Sequence, residues 1–147
     1  MFSQTVEYAL RAMVQLASDA PEASTTRQIA KKTKVPSAYL AKVLQSMRRA
    51  GLINSRRGVG GGVTLAQEPD EISLLDVIDA VEPLKRSGRR RGKTVTPLQR
   101  TLDNALVQVR KTFEAVSLSD MLSARRGGSK PRRRKRKHPA PRAKRTR

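Results

Sequence analysis

The sequence predicts a mainly α-helical chain: a winged helix-turn-helix domain followed by a long C-terminal dimerisation helix. Three observations carry that expectation. Apolar residues recur at helical spacing in successive stretches. Two of the shorter stretches meet at a tight turn around Val35-Pro36, and the second stops at Gly51. A glycine-rich hairpin follows at once, between two short runs that read as strands.

Phe2, Val6, Ala9, Leu10, Met13, Leu16 and Ala17 place a first helix from about Ser3 to Ser18, closed before Pro21, with these residues as core. Thr25 followed by Gln28 makes a capping box, opening a short helix that buries Ile29 and Ala30. Pro36 and Ser37 start the next helix, whose apolar stripe is Tyr39, Leu40, Val43, Leu44 and Met47, and Gly51 ends it. Between the two, Lys34 stands where such a turn usually takes glycine; a left-handed backbone there costs a lysine roughly 1 kcal/mol. Leu52 to Arg56 then reads as a strand, Arg57 to Gly62 as a hairpin tip, and Val63 to Leu65 as the return strand. Both nucleotide-binding glycine loops fail, because Val63 occupies the last glycine of the dinucleotide fingerprint and no Gly-Lys-Ser/Thr follows.

Ser73 caps a helix with Leu74, Leu75, Val77, Ile78 and Val81, expected to pack on the first helix with its acids turned to solvent. Thr96 and Pro97 open a long helix bearing Leu98, Leu102, Ala105, Leu106, Val109, Phe113 and Val116 on one face. Pairing with a second copy and folding onto its own domain are both open for that face; pairing is the favoured reading. Ser117 to Leu122 reads as a last capped turn.

Charge narrows the function. The 147 residues hold 32 Lys and Arg against 12 Asp and Glu, a net charge of +20 that points to a polyanionic partner. Residues 124–147 carry 13 of the bases and no acid, and with their glycines and prolines form an expected disordered tail. From Ala23 to Gln67 there are nine bases (Arg27, Lys31, Lys32, Lys34, Lys42, Arg48, Arg49, Arg56, Arg57) and no acid. From Glu68 to Glu82 there are six acids and no base. Such polarity implies an oriented surface for double-stranded DNA. The arginines at the hairpin, Arg56 or Arg57, are then candidates to enter a groove, with Gly60 letting the backbone approach; a hairpin with solvated arginines is the plainer alternative.

Disulfides, thiolate metal sites and cysteine nucleophiles are excluded by the absence of cysteine. The single histidine, His138, lies in the tail, and no catalytic or metal-binding residue can be named. No apolar run reaches the ~18 residues of a membrane span and the N-terminus lacks signal-peptide character, so the expected location is cytoplasmic, on the nucleoid.

The order of elements, with Glu7-Tyr8-Ala9-Leu10-Arg11-Ala12-Met13, Pro36-Ser37-Ala38-Tyr39-Leu40, Arg57-Gly58-Val59-Gly60-Gly61-Gly62 and Ile72-Ser73-Leu74-Leu75-Asp76-Val77-Ile78, resembles the Rrf2 family of bacterial winged-helix transcription regulators over nearly all of residues 1–122. The resemblance implies a homodimer held by crossed long helices on a palindromic operator. It places Ser37, Tyr39 and Lys42 at the major groove, Arg57 in the minor groove and Tyr8 beside a phosphate; for the two tyrosines, partial burial of the ring is equally open. Sensor members of the family hold an iron-sulfur cluster with three cysteines between the fifth helix and the long helix. The matching segment here, residues 84–96, has none, which places the chain with the cluster-free branch and without a cofactor. Its basic run, Lys85 to Lys93, is open to three readings: an anion site, a DNA contact or a solvated loop.

The expected organisation is a DNA-binding domain over 1–83, a basic linker over 84–96, a dimerisation helix over 97–123 and the tail over 124–147. The candidate DNA-binding residues are Tyr8, Arg27, Ser37, Tyr39, Lys42, Arg56, Arg57 and Gly60. The expected function is sequence-specific regulation of transcription, as a repressor, with an effector ligand or protein left unspecified; the alternative is an architectural nucleoid protein that coats DNA through its tail.

Overall fold

A computed structural model describes residues 2–84 and 96–127. The Lys85–Lys93 run and most of the basic tail, 128–147, lie outside the described residues. Among those described, the order is α1 (Gln4–Asp19), α2 (Thr26–Thr33), α3 (Ser37–Arg49), β1 (Ile53–Arg56), β2 (Gly62–Leu65), α4 (Leu74–Val81), α5 (Pro97–Glu114) and α6 (Leu118–Arg125).

The hub is α1. Ser3 caps it by accepting from the Val6 N–H at 3.3 Å, and Glu7 in its first turn suits the positive end of the helix dipole. Val6, Ala9, Met13, Leu16 and Ala17 are buried, and α2, α3, α4 and α6 all pack around the helix. The core is aliphatic, with Met13, Ile29, Leu40, Met47, Ile72, Ile78 and Leu118 fully buried. Short alanines on α1 let those neighbours approach closely, so a core with few rings still closes.

Capping decides where helices begin. Thr25 with Gln28, Ser73 with Asp76 and Ser117 with Asp120 each form a reciprocal capping box. The last two lie side by side: Leu74 N–H donates to the Val116 carbonyl at 2.9 Å and Leu118 N–H to that of Ile72 at 3.0 Å. Helix α3 ends as foreseen at Gly51, with φ 74. Gly51 N–H reaches the Arg48 carbonyl at 3.1 Å and Leu52 N–H that of Met47 at 3.0 Å, a Schellman closure with Met47 and Leu52 both buried. Lys34 does take the left-handed conformation, at φ 60, ψ 24.

Four expectations change. Phe2, read as core of the first helix, precedes that helix and is exposed, its ring edge-on to Phe113. Tyr39 leaves the buried stripe of α3 and is exposed, because it sits at the edge of that stripe while Leu40, Val43, Leu44 and Met47 turn inward. The acids of α4 are not simply solvated: Asp79 is half-buried and forms an ion pair with Arg110 of α5 at 2.9 Å. The segment 97–123 divides at Ala115, and α6 returns to α1 with Leu118 inside the core; because α6 runs to Arg125, Ala124 and Arg125 belong to a helix rather than to the tail.

Leu118 is fully buried though it lies beyond the long helix. Leu118→Ala is expected to cost about 2–5 kcal/mol, read as a lower denaturant midpoint.

Candidate nucleic-acid interface

Helices α2 and α3 and the β1-β2 hairpin contribute to one continuous acid-free stretch of sequence. Eight of its nine bases have no carboxylate partner among the described residues; the ninth, Lys32, pairs with Asp19. Arg27, Ser37, Lys42, Arg56, Arg57 and Gly60 are all exposed.

On α3, Ala38, Lys42, Gln45 and Arg49 are exposed at spacings of four, three and four, which is one helical face opposite the buried one. Gln45 and Arg49 were not singled out from sequence as site residues, although counting three and seven residues on from Lys42 finds both. Ser37 is the first residue of the helix, whose N-cap, Pro36, offers no side-chain bond. The first-turn amide groups therefore keep donors for an anion.

The two candidate tyrosines come together. Tyr8 and Tyr39 meet edge to face with ring centroids 5.8 Å apart, and the Tyr8 hydroxyl accepts from Gln4 Nε2 at 2.8 Å. Tyr8 is half-buried, so its ring braces Tyr39 while Tyr39 stays open to solvent.

The hairpin pairs Ile53 with Leu65 and Arg56 with Gly62, burying Ile53 and Val63 on its inner side. Arg57 and Arg48 line one shallow depression with Gly51, Asn54 and Ser55, so the end of α3 and the hairpin meet there. The hairpin is fixed to the body by Ser24, whose N–H donates to the Val63 carbonyl at 3.0 Å while the Val63 N–H returns to the Ser24 carbonyl at 2.8 Å. A Cβ on Gly62 would stand 3.0 Å from the Ser24 backbone, so glycine is required for that approach.

Asp19 completes the mount. It accepts from Ser24 Oγ at 2.8 Å, from Gln15 Nε2 at 3.0 Å and from Lys32 Nζ at 2.8 and 2.9 Å. Burial alone pushes the Asp19 carboxyl upward, but the bonds from Lys32, Ser24 and Gln15 and the Lys32 charge outweigh it, leaving the group below its ordinary value. A depressed carboxyl contributes stability above its unfolded value, near pH 4, and loses it as pH falls through the folded value. Asp19→Asn is expected to lower stability by about 1–2 kcal/mol at pH 7, with the gap to wild type closing below about pH 4 in denaturant titrations.

The family model described as Rrf2, iron-dependent transcriptional regulator, matches residues 2–124. A putative HTH-type transcriptional regulator, rrf2-like, of Rhodobacter capsulatus is 29% identical over 143 residues, spanning 84% of this chain and 93% of the relative. A putative HTH-type transcriptional regulator of Aquifex aeolicus is 40% identical over 79 residues, 54% of this chain and 55% of the relative, so the chain spans about half the length of that relative. Among solved structures, CymR, the global cysteine regulator of B. subtilis, superposes with a TM-score of 0.72 at 28% identity, covering 84% of this chain and 97% of that one. IscR of T. potens superposes with a TM-score of 0.74 at 25% identity, covering 85% and 88%.

The donor set here does not fit the iron of the family description. The chain has no cysteine, and among the described residues no group of three or more His, Asp or Glu could hold a metal ion. No helix among them is long and apolar enough to cross a membrane.

Proposed function

The chain belongs to the Rrf2 family of transcriptional regulators, which bind DNA and are not enzymes, and from that premise we propose that it represses transcription as a homodimer on a palindromic operator. The observation that carries this reading is the acid-free exposed surface of α2, α3 and the hairpin, with eight cations left unpaired among the described residues. In this reading α3 enters the major groove. Lys42, Gln45 and Arg49 reach base edges, where glutamine suits adenine and arginine suits guanine. Ser37, Tyr39 and the α3 amide groups hold phosphate, with Tyr8 behind Tyr39; Arg27 at the start of α2 adds a further phosphate contact. Arg57 enters the minor groove from the hairpin, with Arg56 and Gly60 beside the backbone.

Support for the dimer comes from α5. Its 18 residues span about 27 Å, and none of them is buried. The apolar stripe splits in two. Leu106 is half-buried, and Phe113 packs on the core of its own domain, meeting Phe2 with ring centroids 5.2 Å apart. Leu98, Leu102 and Val109 are 69%, 55% and 40% exposed, at spacings of four and seven with Ala105 between. A second copy crossing at this stripe buries all four at once, and a two-fold dimer matches a two-fold operator. Leu102→Glu is expected to yield monomers in analytical ultracentrifugation and to weaken operator binding by at least 100-fold. An unchanged dimer mass removes α5 from the interface.

A second reading rests on the 13 bases of residues 124–147: an architectural protein that coats DNA. Full-length protein and a chain ending at Gly127, past the end of α6, separate the two in footprinting and in binding to random duplex. A regulator protects a palindrome and prefers it by on the order of 10³ or more at physiological salt. Removing the tail is expected to weaken all binding and flatten its salt dependence while keeping the protected site. Coating without a preferred site is the outcome that replaces the regulator reading.

A further inference from the structure

The hairpin carries an aliphatic side chain at its outermost point. Val59 is fully exposed, at 109% of its reference surface, so its isopropyl group rests against nothing in the chain. On either side are Gly58, with φ 97, and Gly60, with φ 73. The Gly61 N–H donates to the Gly58 carbonyl at 3.0 Å, closing a turn over 58–61 with Val59 and Gly60 at its centre. Glycine at positive φ in the third place is what a type II turn requires, whereas the second place accepts most residues. The turn chemistry therefore explains Gly60 and leaves Val59 unexplained.

The tip is also tightly built. A Cβ on Gly61 would stand 2.5 Å from the Arg56 carbonyl oxygen and 2.8 Å from that of Gly58, so no larger residue fits. With the base of the hairpin bonded to Ser24 in both directions, Val59 is presented by a preorganised support, two residues after Arg57.

We infer that Val59 is a specificity-determining residue that lies against the floor of the minor groove and selects A·T over G·C pairs beside the half-site. The inference rests on the DNA-binding reading above. An A·T pair shows the minor groove acceptors alone, whereas G·C adds the guanine amino group as a donor. An isopropyl group packs against the adenine C2–H and the sugar C–H edges. Over guanine it covers an amino hydrogen and offers no acceptor, and a buried donor left unbonded is costly. Arg57 prefers the same sequences for a different reason, the stronger negative potential of narrow A·T-rich grooves. Apolar residues placed in the minor groove beside cations are a recurrent device of DNA-binding proteins.

The test takes the full-length protein on the operator recovered by selection from random duplexes. Each A·T pair flanking the bases contacted through the major groove is changed to G·C and then to inosine·C, which keeps the G·C major groove and removes the amino group from the minor one. At the pair under the hairpin, G·C is expected to weaken binding by on the order of 10-fold, and inosine·C to restore it. Val59→Ser, a fully exposed change that leaves melting unaltered, is expected to lose most of that discrimination and keep the wild-type salt dependence, since no charge is removed. Arg57→Ala serves as the contrast, lowering the slope of log affinity against log salt by about one. Full discrimination in Val59→Ser overturns the inference, as does inosine·C binding as weakly as G·C at every flanking pair. Failure to recover any preferred operator overturns the regulator reading instead.

Discussion

The basic surface of α2, α3 and the hairpin depends on the junction at Ser24. Its backbone bonds Val63 in both directions, its hydroxyl donates to Asp19, and Asp19 in turn holds Lys32. Through these few bonds the end of α1, helix α2 and the base of the hairpin share one fixed point. A hairpin of two four-residue strands is marginal by itself. The Ser24 bridge, with Ile53 and Val63 buried beneath it, turns that hairpin into a rigid projection. Gly62 belongs to the same constraint, because any side chain there would force Ser24 and the strand apart.

Electrostatic segregation follows from how the acids are used. Asp19 is consumed by Lys32, Asp76 and Asp120 by capping boxes, Asp79 by Arg110, and Glu82 accepts from Ser3. Each of these carboxylates has a structural partner, and none sits in the stretch from Ala23 to Gln67. The bases of that stretch are left as a net field, which speeds association with a polyanion and orients it. The acidic segment 68–82 thus serves the fold first, and its contrast with the basic surface is a consequence of where caps and clamps are needed.

Local signals made much of this legible in the sequence. Thr25-Gln28 and Ser73-Asp76 fix helix starts through bonds made within four residues, and Gly51 fixes a helix end in the same way. Tyr39 shows where such reading stops. Aromatic and at the edge of an apolar stripe, it passes for core by pattern, yet its direction depends on how α3 rolls on α1, which only the assembled domain decides. The Tyr8 contact and the return of α6 through Leu118 are equally non-local, since both join residues more than thirty positions apart. Of the eight candidate DNA-binding residues, Arg27, Arg56, Arg57 and Gly60 follow from the acid-free basic stretch and its glycine-rich hairpin, whereas Tyr8, Ser37, Tyr39 and Lys42 owe their roles to the family resemblance. Gln45 and Arg49 share the exposed face of α3 with Lys42 and were within reach of the same helical count.

Helix α5 answers to two partners, and Arg110 shows how they are joined. Its guanidinium holds both carboxylate oxygens of Asp79, at 3.1 and 2.9 Å, and donates to the Leu84 carbonyl at 2.9 Å, while the Leu84 N–H bonds Asp79 as well. The hydrogen bonds to Asp79 hold the arginine above its ordinary pKa. The end of α4, Leu84 three residues beyond it and the long helix are therefore one mechanical unit. The stripe of Leu98, Leu102 and Val109 lies on a different face of the same helix, so whatever covers that stripe acts on an element already anchored to the DNA-binding body. With no cysteine in the chain, that anchoring is not under the control of a cluster held by the chain's own thiolates.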